Sequence, residues 1–147
     1  MNLKIIFAPF LLATMLDYTV TNAMIQTQHV TSCHGLTLQQ KQEAFAYNTA
    51  LLIISIFNSG YKCTLGEAFR TTTQAQIYAH EGLGITHSKH CERLAIDLNL
   101  FDKDGKYIFE DCKEYEILGA YWQSLSPYNV WGGAWHHRKD QNHFEAD

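Results

Sequence analysis

The clearest strand pattern in this chain carries a carboxylate at its centre. Leu94, Ile96, Leu98 and Leu100 alternate with Ala95, Asp97 and Asn99, the period of two expected of a β-strand with one buried face. Flanked by Ile96 and Leu98, the strand is substantially buried, and a bare carboxylate there is costly. Asp97 therefore needs a partner, either a salt bridge to Arg70 or Arg93 or a bound cation.

Two short segments favour the cation. Ser88-Lys-His90 precedes the strand, and Asp140-Gln-Asn-His143-Phe-Glu145 lies just before the C-terminus. His90 stands seven residues before Asp97, at the end of a loop bearing Gly82 and Gly84 that can fold back over the strand. His143 arrives from a C-terminal hairpin. Two histidines and one carboxylate leave a fourth position open for water, the donor set of a catalytic zinc ion rather than a closed structural one. Zinc lowers the pKa of such a water to about 7. The H-x6-D spacing alone is a weak signal; D-x-x-H-F-E downstream makes it far more specific. Any single histidine among the eight in the chain is more often a surface residue than a ligand.

Other side chains take roles around this centre. Asp140, three residues before His143, suits a general base that moves a proton from water to a leaving amine; as a plain turn residue it would equally suit Asp140-Gln-Asn142. Glu145 alternates with His143 and is ranked behind Asp140 as a supporting carboxylate. Arg70, in Glu67-Ala-Phe-Arg70-Thr71, can hold a substrate carboxylate or an oxyanion, or pair with Glu67, or both. Gln74 could support Arg70. The Ser88 hydroxyl is better placed to orient the site than to attack. Trp131-Gly-Gly133-Ala-Trp135 reads either as a cleft wall or as core.

Bulk properties bound the rest. A length of 147 residues suits one domain, and 46% apolar residues argue for a globular chain. A net charge of -4 with both signs scattered argues against a nucleic-acid partner. Lys4 and the apolar run Ile5 to Leu16, followed by Thr21-Asn22-Ala23, read as a signal peptide or signal anchor over residues 1–23. This favours export to a periplasmic or wall-facing location over a buried N-terminal helix. Residues 24–36 read as a linker and 37–147 as the domain. Cys33, Cys63, Cys91 and Cys112 allow three disulfide pairings, with no means of choosing among them, or none at all.

Thr37-Leu-Gln-Gln40 is a capping box that opens a helix to about Asn58, stopped by Gly60. Strand character runs from Tyr61 to Phe69 with Gly66 interrupting. A short helix is expected over 74–80, and Asp102 to Gly105 reads as a hairpin turn. A third helix covers Glu114 to Leu125 and ends at Pro127. Segments near Trp131 and His143 bracket a final hairpin. This is an α+β domain, a small antiparallel sheet with flanking helices.

The pattern S-x-H-x6-D followed by D-x-x-H resembles the signature of the zinc D-alanyl-D-alanine carboxypeptidases, VanY-type peptidases and phage endolysins that cut the L-alanyl-D-glutamate bond. Glu67-x-x-Arg70-Thr71, Gln74, Gly82-x-Gly84-Ile85, Arg93 to Phe101 and Trp131-Gly-Gly133 extend the resemblance from about Thr37 to Glu145, with wording nearest a phage or prophage branch. Arg93 departs from the glycine that many members carry after S-x-H. The resemblance implies a Hedgehog/DD-peptidase-like fold and one zinc ion per chain held by His90, Asp97 and His143. It also implies Asp140 as acid/base and Arg70 as the substrate-side cation. The expected partner is the peptidoglycan stem peptide, either its L-Ala-D-Glu or its D-Ala-D-Ala bond. The chain is expected to be monomeric, with at most transient membrane contact through its N-terminal segment. A cytoplasmic endolysin released at lysis is the alternative location. A non-catalytic zinc- or wall-binding module, as in the Hedgehog signalling domain, is the alternative function.

Overall fold

The structure, a computed structural model, describes residues 35–109 and 112–147. The expected targeting segment and most of the expected linker lie outside the described residues, as does Cys33. Cys63, Cys91 and Cys112 are free thiols. Among the described residues no helix is long and apolar enough to cross a membrane.

Among the described residues three helices and a four-stranded sheet form an α+β architecture. In chain order the elements are α1 (Leu38–Asn58), β1 (Lys62–Leu65), α2 (Thr72–His80), a 3-10 turn (Lys89–Glu92), β2 (Ala95–Phe101), α3 (Lys113–Leu125), β3 (Asn129–Trp131), a second 3-10 turn (Gly132–Ala134) and β4 (His143–Ala146). Helix α1 begins as its capping box dictates. The Thr37 hydroxyl accepts from Gln40 N–H at 3.2 Å, and the Gln40 side chain accepts from Thr37 N–H at 2.9 Å. Helix α2 starts two residues before its expected first residue because Thr71 caps it, its hydroxyl accepting from Gln74 N–H at 3.1 Å.

The sheet runs β1-β2-β4-β3 with every neighbour antiparallel. Strand β2 is central to it. One face sends Ile96, Leu98, Leu100 and, from β4, Phe144 into a core shared with Phe45, Leu52 and Ile56 of α1 and Tyr115, Leu118 and Trp122 of α3. Tyr115 is fully buried and solves a backbone problem there. Its hydroxyl donates to Leu98 O at 3.0 Å and accepts from Leu100 N–H at 3.1 Å, where β2 has outrun its pairing with β4. The Trp122 indole donates to Val130 O and Glu145 O, tying α3 across β3 and β4.

The strand expected over 61–69 is shorter, because β1 ends at Leu65 in a bulge. Gly66 N–H donates to Asp97 O at 2.8 Å while Asp97 N–H donates to Glu67 O at 2.9 Å, so two residues oppose one. A Cβ at Gly66 would stand 3.0 Å from the Asp97 Cβ, so any side chain there would push the bulge or Asp97 by a few tenths of an ångström. The bulge thus lies directly against the carboxylate singled out in the sequence.

Candidate metal centre

Register creates the centre. Asp97 on β2 is the cross-strand partner of His143 on β4, so both side chains leave the same face of the sheet, opposite the core. His90 joins them from the 3-10 turn. Ser88 caps that turn, its hydroxyl accepting from His90 N–H at 3.3 Å. Arg93 ends it in a left-handed conformation, φ 56°, which lets the chain reverse into β2. Arg70 N–H also donates to His90 O, at 3.3 Å.

Three ligand-type atoms converge. His143 Nδ1 lies 3.0 Å from Asp97 Oδ1, His90 Nε2 lies 3.2 Å from His143 Nδ1, and His90 Nε2 lies 3.4 Å from Asp97 Oδ1. His90 and His143 are buried, whereas Asp97 keeps a fifth of its side chain in contact with solvent. This is the one group of histidine, cysteine or acidic side chains able to hold a metal ion among the described residues.

The electrostatics follow from this packing. Burial raises the Asp97 pKa, but hydrogen bonds from His143 and then His90 outweigh it and hold the carboxyl at about 2. Burial lowers the His143 pKa, and its bonds to Asp97 and Glu145 outweigh that and push it up to about 9. Glu145 Oε2 sits 2.9 Å from His143 Nε2, the placement by which a carboxylate fixes the orientation and basicity of a ligating imidazole.

Asp140 stands at the edge of this group. It is half-buried, and its carboxylate makes no hydrogen bond among the described residues. Burial, and secondarily the negative Asp97, raise its pKa, against the pull of His143, Arg138 and His90. Its backbone is fixed by Asp140 N–H donating to Gly132 O and by Asp140 O accepting from His143 N–H. A Cβ at Gly132 would lie 2.4 Å from Asp140 O, so the Trp-Gly-Gly segment passes this close to the Asp140 loop because the residue there is glycine.

Arg70 is bound bidentately to Glu67, with Nε at 2.9 Å from Oε1 and Nη2 on Oε2. Its Nη1 reaches Ser88 Oγ at 3.4 Å, and its guanidinium lies over the Tyr78 ring at 5.0 Å. Three of its five N–H groups are thereby used, which leaves two for another partner. Both expected pairings of Arg70 are thus compatible: the ion pair with Glu67 holds it still and does not exhaust it.

At two positions the structure chooses between the readings left open by the sequence. Trp131 does not wall a cleft. It is 7% exposed, donates from its indole to Gln141 O at 2.8 Å, and packs against the helix at Gly119. Trp135, half-buried, lies beside His143 with ring centres 5.2 Å apart, and is the tryptophan at the centre. Gln74 makes no side-chain hydrogen bond to Arg70; Tyr78, one turn further along α2, makes the contact instead. Tyr78 escaped the sequence reading because an aromatic on a short helix signals core, and the bulge at Gly66 because a lone glycine in a strand has many meanings.

A family model described as D-alanyl-D-alanine carboxypeptidase matches residues 82–146. That span holds His90, Asp97, Asp140 and His143 but not Arg70. Among solved structures, the L-Ala D-Glu endopeptidase ChiX of Serratia marcescens is similar at a TM-score of 0.57 and 16% identity, over 74% of this chain and 85% of that one; the likeness is one of fold. Comparison with curated proteins finds no match.

Proposed function

We propose that this chain, whose residues 82–146 match the family model described as D-alanyl-D-alanine carboxypeptidase, is a zinc peptidase cutting the peptide stem of bacterial peptidoglycan. The observation that carries the reading is the triangle of His90 Nε2, Asp97 Oδ1 and His143 Nδ1, with sides of 3.0–3.4 Å. Atoms about 2.1 Å from a zinc ion at tetrahedral angles lie about 3.4 Å apart, so the donors fit that ion with little movement. Their chemistry fits as well, since two imidazoles and one carboxylate suit zinc and leave a position open.

When bound, zinc supplies Lewis-acid polarisation of a carbonyl and a lowered pKa for water. The chain's own residues do the rest. Asp140, with its raised pKa, holds the proton taken from water and returns it to the departing amine. The two spare N–H groups of Arg70 meet a substrate carboxylate or a developing oxyanion, and Glu67, Ser88 and Tyr78 keep the guanidinium from reorienting. Glu145 keeps His143 facing the centre. Trp135 shields one side from water.

The reading also takes in the export expected from the N-terminal segment, which would carry the enzyme to its wall substrate. The test is mass spectrometry of purified peptidoglycan digested with zinc-loaded protein. New amino termini at L-Ala-D-Glu or D-Ala-D-Ala bonds are expected. They should vanish with a chelator and fall at least 100-fold in Asp140→Asn with zinc content unchanged. Full release by metal-free Asp140→Asn protein would overturn the proposal.

A further inference from the structure

The segment after α2 and the loop carrying Asp140 are 56 residues apart in sequence yet joined by one side chain. Arg138 donates from Nη1 to Gly82 O at 3.1 Å and from Nη2 to Leu83 O at 2.5 Å. These carbonyls belong to the turn that follows α2 and its cap residue Glu81, so the guanidinium grips the turn itself. Arg138 holds this position with φ 56°, a left-handed conformation uncommon for a residue with a Cβ. The other non-glycine residue with positive φ among those described is Arg93, which shapes the approach to β2. Strain kept at an exposed arginine points to a requirement on where its side chain goes.

The contact reaches the centre from both sides. Gly84, next to Leu83, is so close to Arg70 that an added Cβ would lie 3.5 Å from Nη1, and Nη1 itself contacts Ser88. On the other side Arg138 is two residues from Asp140. We propose that Arg138 is a positioning residue: by clamping the Gly82-Leu83 turn to its own loop, it sets the distance between Asp140 and Arg70, across which the scissile bond lies. This rests on the peptidase reading above. Arg138 need touch neither substrate nor metal.

The test uses the full chain, zinc-loaded, with Arg138→Ala, Arg138→Gly and an exposed neighbour, Lys139→Ala, as control. On a synthetic stem peptide, Arg138→Ala is expected to lower kcat at least tenfold with KM within twofold, and millimolar guanidinium should restore part of kcat. Arg138→Gly, which relaxes the backbone but lacks the clamp, should behave like Arg138→Ala. Lys139→Ala should match the parent. Hydrogen exchange should rise together at amides of 82–85 and 134–140 in both Arg138 variants, and zinc stoichiometry should not move. Unchanged kcat and unchanged exchange in Arg138→Gly would overturn the proposal, as would exchange rising in one loop alone. Should the parent protein show no hydrolysis, the peptidase reading fails by itself and the exchange data alone decide whether the clamp couples the two loops.

Discussion

Asp97 and His143 sit opposite each other and shift each other's pKa in opposite directions. That makes the metal-free protein sensitive to pH at both ends. The His143 pKa is raised from 6.5 to about 9, so its contribution is fully present below about 6.5 and is lost as pH rises through 9. The Asp97 pKa is lowered from 3.8 to about 2, so its contribution is present above 3.8 and is lost as pH falls through 2. In chelator, the thermal midpoint should peak between about pH 4 and 6.5. In His143→Gln the alkaline decline between about 6.5 and 9 should flatten. A midpoint still rising from pH 7 to 9 in the parent would contradict this account. On the zinc reading proposed above, the ion would have to displace a proton from His143, so affinity should climb with pH across that window.

Among elements, the junction of α3 with β3 shows most plainly how the sheet is held. Gly119 is buried in α3 with the Trp131 indole against it, and a Cβ there would fall 2.1 Å from the ring. An alanine in mid-helix normally gains about 1 kcal/mol over glycine. Here the clash must push either α3 or Trp131 aside, at a cost of about 1–3 kcal/mol beyond that gain. Gly119→Ala should therefore lower the urea midpoint instead of raising it. Because β3 pairs with β4, which carries His143, zinc affinity should weaken as well. A stabilised Gly119→Ala protein would show that the packing at Trp131 is looser than described.

For the molecule as a whole, the centre fastens segments that are distant along the chain. His90 and His143 are 53 residues apart, and Asp97 and His143 are 46 apart. An ion bound there would link the 3-10 turn, β2 and β4 in the native state alone and so stabilise by mass action, about 2.7 kcal/mol at a hundred times the dissociation constant. For a domain of this size that corresponds to roughly 10 °C in the thermal midpoint. Calorimetry with and without chelator should show this drop, and Asp97→Asn should abolish the difference. An identical midpoint in both conditions would argue that no ion is held there.

The three side chains that converge at the centre, His90, Asp97 and His143, were legible in the sequence because the pattern that marks each is local. A carboxylate inside an apolar alternation demands a cation, and two short histidine motifs offer its other ligands. Helix starts were legible for the same reason: Thr37 and Gln40 act within one turn, and Leu94 to Leu100 declare their period by themselves. What tertiary structure decided is everything that depends on register and on approach between distant segments. Pairing Asp97 with His143 is a matter of how β2 meets β4, and a slip of one residue would send His143 into the core. That Trp131 packs on Gly119 of α3 while Trp135 lies beside His143 is likewise a matter of packing between segments. The contacts of Tyr78 with Arg70 and of Arg138 with the end of α2 join segments that no local pattern connects. Residue type and spacing marked the groups able to converge; the packing of strands and loops decided which of them meet.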